Sequence, residues 1–156
     1  MGLVTIYTKK GVMKDGKIII PFEYDDIKPA TIDGEESNDI FITKKDDMIG
    51  AVKLGDSPFC PIKIKNGYHS ISCFEKGIAV ISEYCDRIGE KFGIIDTNLE
   101  ILTIIKYDKI SRVSAKFFDV VEDGKHGIID SKGKLIIACE FDNIHYNEEE
   151  NTFQIS

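Results

Sequence analysis

The hexapeptide Lys91-Phe92-Gly93-Ile94-Ile95-Asp96 returns as Lys125-His126-Gly127-Ile128-Ile129-Asp130. Fourteen residues lead from Gly93 to Tyr107-Asp108-Lys109-Ile110, and fourteen from Gly127 to Phe141-Asp142-Asn143-Ile144. Segments that agree at both ends without a gap are copies of one unit. A unit this short leaves one apolar face uncovered, so neighbouring copies must stack to form a core.

Two further copies are legible. Ile18-Ile19-Ile20-Pro21-Phe22-Glu23-Tyr24-Asp25-Asp26-Ile27 matches Leu135 to Ile144 in character, and both follow a Gly-Lys pair. The other copy has drifted: Met48-Ile49-Gly50-Ala51-Val52 supplies its glycine strand and Tyr68-His69-Ser70-Ile71 its far end. Eighteen residues separate Gly50 from Tyr68, and Pro58, Pro61 and Asn66-Gly67 mark extra turns within an insertion. A third apolar run recurs as Ile40-Phe41-Ile42, Gly77 to Ile81, Phe117 to Val121 and Phe153-Gln154-Ile155. Leu3 to Tyr7 reads as an opening strand. Asp-Gly pairs in Lys14-Asp15-Gly16-Lys17 and Glu122-Asp123-Gly124-Lys125 supply the positive φ of tight hairpins.

No stretch sustains a helical period, so the expected fold is all-β. We expect one domain of four degenerate repeats, each a three-stranded antiparallel meander, with units at about 3–39, 40–76, 77–116 and 117–156. Stacking as a solenoid-like or superhelical array is the favoured arrangement, and a closed propeller or barrel is the alternative. The repeat-structural positions are Gly11, Gly50, Gly93 and Gly127, with Tyr24, Tyr68, Tyr107 and Phe141. A glycine inside an apolar strand marks close approach of another backbone or an aromatic ring. The Asp after each aromatic is expected to bond its own backbone two residues on. Asp130-Ser131-Lys132-Gly133 reads as a type I turn with glycine in the left-handed position. Expected core residues are Ile18, Ile20, Val52, Val80, Phe92, Ile94, Ile95, Val120, Ile128, Ile129, Ile136 and Phe141.

These motifs resemble the bacterial WG (KWG) β-repeat family. Its unit runs aromatic-Gly-apolar-Ile-Asp, a turn ending in Gly-Lys, apolar-Ile-Pro, then Tyr-Asp-x-Ile. Phe92 to Asp96, and Pro21 with Tyr24-Asp25-Asp26-Ile27, fit it best, and the similarity spans nearly the whole chain. The chain has no tryptophan; Lys10, Ile49, Phe92 and His126 stand in the signature position. The resemblance implies binding or scaffolding and no reaction.

Charge and composition narrow the function further. A net charge of −7 repels nucleic-acid phosphates and anionic membranes, and suits a basic protein partner. No apolar run approaches a membrane span, and the first residues do not form a signal peptide, so a cytoplasmic setting is expected. Cys60, Cys73, Cys85 and Cys139 are scattered, without the close pairing of a zinc site, although His69, Cys73 and Cys85 are a conceivable ligand set. No cofactor is expected, and no nucleophile–base spacing, phosphate loop or metalloprotease helix appears. The three histidines are His69, His126 and His145, with His126 expected to stack across the repeat interface. An enzyme would need them to converge with carboxylates. The carboxylates instead gather in equivalent turns. Asp25, Asp26, Asp33, Glu35 and Glu36 follow the first aromatic-Asp end, and Glu148, Glu149 and Glu150 follow the last. They are the candidate partner-binding residues of a protein-binding module, or of a small acidic inhibitor capping a basic toxin or effector.

Overall fold

A computed structural model describes residues 8–55 and 61–156. The expected opening strand, Pro58 and Cys60 lie outside the described residues. An N-terminal hairpin joins β1 (Lys10–Lys14) to β2 (Lys17–Tyr24). Three four-stranded sheets follow. Sheet 1 holds β3 (Asp26–Ile32), β4 (Glu35–Lys45), β5 (Met48–Leu54) and β6 (Pro61–Tyr68). Sheet 2 holds β7 (Ser70–Ile71), β8 (Ile78–Cys85), β9 (Gly89–Asp96) and β10 (Ile101–Tyr107). Sheet 3 holds β11 (Lys109–Arg112), β12 (Phe117–Glu122), β13 (Lys125–Asp130) and β14 (Leu135–Phe141). A last hairpin pairs β15 (Ile144–Asn147) with β16 (Thr152–Ile155). All pairings between these strands are antiparallel and follow chain order, so every sheet is an open meander.

The all-β repeat array is therefore as expected, and none of the sheets is closed. The sheets are four-stranded, not three-stranded, and their breaks are out of phase with the sequence units. Each break follows the aromatic: Tyr24, Tyr68, Tyr107 and Phe141 end β2, β6, β10 and β14. The added strand is the piece beyond the corner: seven residues in β3, two in β7 and four in β11. The two shorter ones carry too little alternation to be recognised from sequence.

The core fills the gaps between successive sheets. Ile19, Ile20 and Tyr24 meet Val52 between the N-terminal hairpin and sheet 1. Ala30, Ile40, Ala51 and Tyr68 meet Phe74, Ala79, Ile81, Ile95 and Leu99 between sheets 1 and 2. Ile78, Ile94 and Tyr107 meet Phe118, Val120 and Ile129 between sheets 2 and 3. Neighbouring residues go to opposite gaps: Ala51 and Val52, Ile78 and Ala79, Ile94 and Ile95. Side chains alternate across a strand, so a sheet covered on both faces is apolar at every position. That explains the uninterrupted Gly-Ile-Ile runs. Two expected core residues are exposed, Ile18 at 58% and Ile136 at 46%, because they project from strands on sheet edges. Val80, Phe92 and Phe141 are half-buried. Phe74 and Leu99, both fully buried, lie outside strands and were not anticipated.

The strand glycines sit where the next strand crosses closely. A Cβ on Gly93 would stand 2.9 Å from the Thr103 carbonyl oxygen and 2.9 Å from Ile105. On Gly127 it would stand 2.6 Å from the Ile137 carbonyl oxygen, and on Gly11 2.5 Å from that of Ile20. Register shifts accompany these crossings, including one between Ile49 and Ala51 around Gly50. The close neighbour is backbone, as a missing side chain permits.

Candidate interaction surface

The first three corners are built by the residue after the aromatic. The Asp25 N–H donates to the Lys44 carbonyl, Asp108 to Val121 and His69 to Ser82, each at 2.8 Å. At the last corner Asn143 and Ser156 exchange two backbone bonds. Contrary to the expectation from sequence, the Asp25 and Asp108 side chains do not bond their own backbone two residues on. They reach across to the following hairpin: Asp25 Oδ2 accepts from the Asp46 N–H, and Asp108 Oδ2 from the Asp123 N–H, both at 2.9 Å.

The other carboxylate oxygen meets a lysine two residues before a strand glycine. Lys9 pairs with Asp25, Lys91 with Asp108 and Lys125 with Asp142. Hydrogen bonding from these ammonium groups holds all three carboxyls below the usual aspartate range, and the turn N–H groups add to this at Asp25 and Asp108. Burial raises the neighbouring Tyr24, Tyr68 and Tyr107 phenols. The second corner has neither partner, since Met48 and His69 occupy the lysine and aspartate positions. The lysines of this clamp were not among the sequence candidates. The joint replacement of Lys by Met and of Asp by His in one copy was the signal that could have found them.

The eight candidate carboxylates fall into two groups. Asp25 and Asp26 are structural, tied to Lys9 and Lys10. Asp33 sits at φ 49° in the β3–β4 turn, where Oδ1 accepts from the Lys76 N–H at 2.8 Å. Glu35, Glu36, Glu148, Glu149 and Glu150 are exposed, and no ion pair among the described residues uses them. Equivalent hairpin tips do lie side by side. Phe74 N–H donates to the Thr31 carbonyl and Asp33 N–H to that of Phe74. Arg112 Nη2 donates to the Glu75 carbonyl at 2.7 Å, with its guanidinium over the Phe118 ring. Phe117 packs on Tyr146 and Phe153 of the last hairpin. The two glutamate groups thus mark opposite ends of one ridge. Lys76, Arg112 and Lys116 stand between them.

Beside the ridge, the shortness of β7 leaves part of the inner face of sheet 1 uncovered. A groove of about 450 Å³ results, floored by Ala30, Ile42, Ile49 and Ile71. Asp26, Glu36, Lys28 and Lys44 carry its charge, and His69 lines it. Behind His69, Ser82 Oγ donates to Glu90 Oε1 at 2.6 Å, and Ser70 Oγ lies 2.6 Å from Ser82 Oγ. Ser82 thus spends its proton on Glu90, while the His69 ring lies 3.8 Å from that carboxylate and 5.9 Å from the Tyr84 ring. The histidines do not converge. His126 does not stack across a repeat interface; its Nδ1 meets Asp119 Oδ1 at 2.8 Å on the adjacent strand. His145 lies on the last hairpin. Among the described residues no cluster of three His, Cys, Asp or Glu side chains could hold a metal ion, and no helix could cross a membrane.

No curated protein and no solved structure matches the chain. Residues 14–47 and 127–155 match the family model described as WG containing repeat. The first segment crosses the corner at Asp25, and the second crosses the corner after Phe141. In these two segments, the chain is similar to the WG-repeat proteins.

Proposed function

We propose that this chain is a non-catalytic protein-binding repeat module that uses the ridge of hairpin tips and the adjoining groove. The observation that supports this most directly is the division of labour among the carboxylates. Asp25, Asp26 and Asp33 serve the fold, whereas Glu35, Glu36 and Glu148 to Glu150 are exposed on tips that the array holds in one row. Uncompensated carboxylates on a rigid edge favour a basic partner and speed its encounter. The same feature, with a net charge of −7, supports a second reading as a small inhibitor capping a basic toxin or effector. Cys73, Cys85 and Cys139 are free thiols, which accords with a reducing, cytoplasmic setting.

The test is capture of partners by the tagged chain at low and moderate salt, compared with a variant carrying Glu148→Lys, Glu149→Lys and Glu150→Lys. One stoichiometric basic partner, lost from the variant while its melting temperature is unchanged, is the expected result. Equal recovery by both proteins excludes that loop. No partner at either salt counts against the module itself.

A further inference from the structure

Where one complete sheet follows another, its third strand packs on the first strand of the next sheet and its fourth on the second. β5 meets β7 and β6 meets β8; β9 meets β11 and β10 meets β12. β1 packs on β3 and β2 on β4 in the same way. The N-terminal hairpin therefore stands where a third and a fourth strand belong. The last hairpin stands where a first and a second belong, since Ile144 faces Ile155 as Ile110 faces Val120. Among the described strands, none pairs with the outer edge of β1 or of β16.

Burial shows what each hairpin lacks. The second residue after the strand glycine is at most 1% exposed in every complete sheet, at Val52, Ile95 and Ile129. Met13 holds that position in β1 and is 54% exposed. Opposite the glycine, Thr43, Ile81 and Val120 are buried. Ile155 holds that position in β16 and is 46% exposed. Of the corner aromatics, Tyr24, Tyr68 and Tyr107 are buried, but Phe141, with only a hairpin beyond it, is half-buried.

We infer that copies of this chain associate head-to-tail: β16 of one pairs antiparallel with β1 of the next, and the two hairpins complete one four-stranded sheet. This goes beyond the binding of a different protein. The β12–β13 pairing gives the register, with Ile155 against Gly11 and Phe153 against Met13. Phe118 and Ile129, their equivalents to Phe153 and Met13, face the preceding sheet together. Phe153 already packs on Phe117, so Met13 of the next copy would be covered by sheet 3 as well. The same register sets the Glu148-Glu149-Glu150 tip beside the β1–β2 turn, which carries Lys14 and Lys17. These opposite charges favour the encounter. A second copy also suits β1 better than a hairpin within the chain. The two-residue turns into the equivalent strands are Asp46-Asp47 and Asp123-Gly124, all at positive φ. Before Lys9 the pair is Tyr7-Thr8, a poor sequence for such a turn. An interface between unlike ends leaves one end open on each copy, so association continues into rings or filaments.

Sedimentation velocity of the purified full chain across micromolar concentrations tests this, and without any other protein present its failure leaves the binding-module reading standing. Masses above 17.5 kDa that grow with concentration are expected for the wild type. Met13→Lys should block one end and Ile155→Lys the other, because each ammonium group would be buried on an apolar face. Each variant alone should associate at least ~100-fold more weakly. An equimolar mixture of the two keeps one intact pair of ends, so it should form a dimer and nothing larger. A wild-type monomer at all concentrations overturns the proposal and leaves the β1 edge to residues 1–7 or to a different protein. Association that survives in both single variants overturns it too, as does a mixture that stays monomeric.

Discussion

Corners two and three of the array share a backbone path and differ in chemistry. At both, the residue after a buried tyrosine donates its N–H across to the neighbouring hairpin at 2.8 Å. At corner three, Asp108 also receives Lys91 and the Asp123 N–H. At corner two, His69 has only a 3.8 Å approach to Glu90 and a ring contact with Tyr84. The turn is thus a property of the backbone, set by the buried aromatic and the glycine crossing. The Lys–Asp clamp reinforces a path that exists without it. Corner two is also where the groove opens.

The sharpest break of this comparison is Gly93→Leu. The new side chain would collide with the Thr103 carbonyl oxygen and with the side chain and backbone of Ile105, on the strand paired with β9. The expected cost is about 3 kcal/mol or more in urea unfolding. His126→Ala removes one histidine–carboxylate bond to Asp119 and should cost about 1 kcal/mol. Equal losses would refute the claim that the glycine crossing determines the corner.

Next in size is Asp108→Ala. It deletes a half-buried carboxylate that accepts from both Lys91 and the Asp123 N–H, and about 1–2 kcal/mol should be lost. His69→Ala, at the equivalent place, should leave the urea midpoint within error. If both changes prove neutral, the clamp does not contribute to stability at all.

Much of this architecture was legible because repetition exposes it. The Gly-Ile-Ile-Asp runs and aromatic-Asp ends define layers, and Gly133 sits at φ 83° in the expected turn. What escaped reading depended on neighbours distant in sequence. Leu99 occupies the place of Gly133 in the equivalent turn, at φ 59°, a strained setting for a leucine. Only its complete burial against sheet 1 accounts for it. Ile18 and Ile136 look like core residues by composition, yet their strands lie at edges, which pattern alone does not reveal. Of the candidate carboxylates, the sequence placed all in turns. It could not separate Asp25, committed to Lys9, from Glu148, which is exposed.

A smaller effect lies in pH. The clamped carboxyls of Asp25, Asp108 and Asp142 are held below their ordinary value, so their folded-state pKa lies under that of the unfolded chain. Their stabilisation is therefore complete above about pH 4, the unfolded aspartate value, and is lost as pH falls through the depressed folded value. Asp108→Asn should flatten this acid limb in urea titrations between about pH 4 and pH 2. His69→Ala should leave it unchanged. An identical acid limb in wild type and Asp108→Asn would show that the Lys91 pairing has no thermodynamic weight at that corner.

The smallest expected effect is the most informative, because it adds the clamp where it is missing. Met48 and His69 are both exposed, so Met48→Lys with His69→Asp should be accommodated without repacking. The Lys91–Asp108 geometry indicates that the new pair can meet, with the aspartate's second oxygen directed at the turn that follows β8. A partly screened pair of this kind contributes about 0.5 kcal/mol. The single substitutions should be neutral or slightly destabilising, so the gain must appear as coupling in a double-mutant cycle. It should also shrink as salt rises, since the pair is exposed. Coupling of this size would make the clamp a transferable part of the repeat, with corner two having lost both members together. Zero coupling would mean that corner two follows a different side-chain path despite its shared backbone bond, and that the groove there depends on the difference.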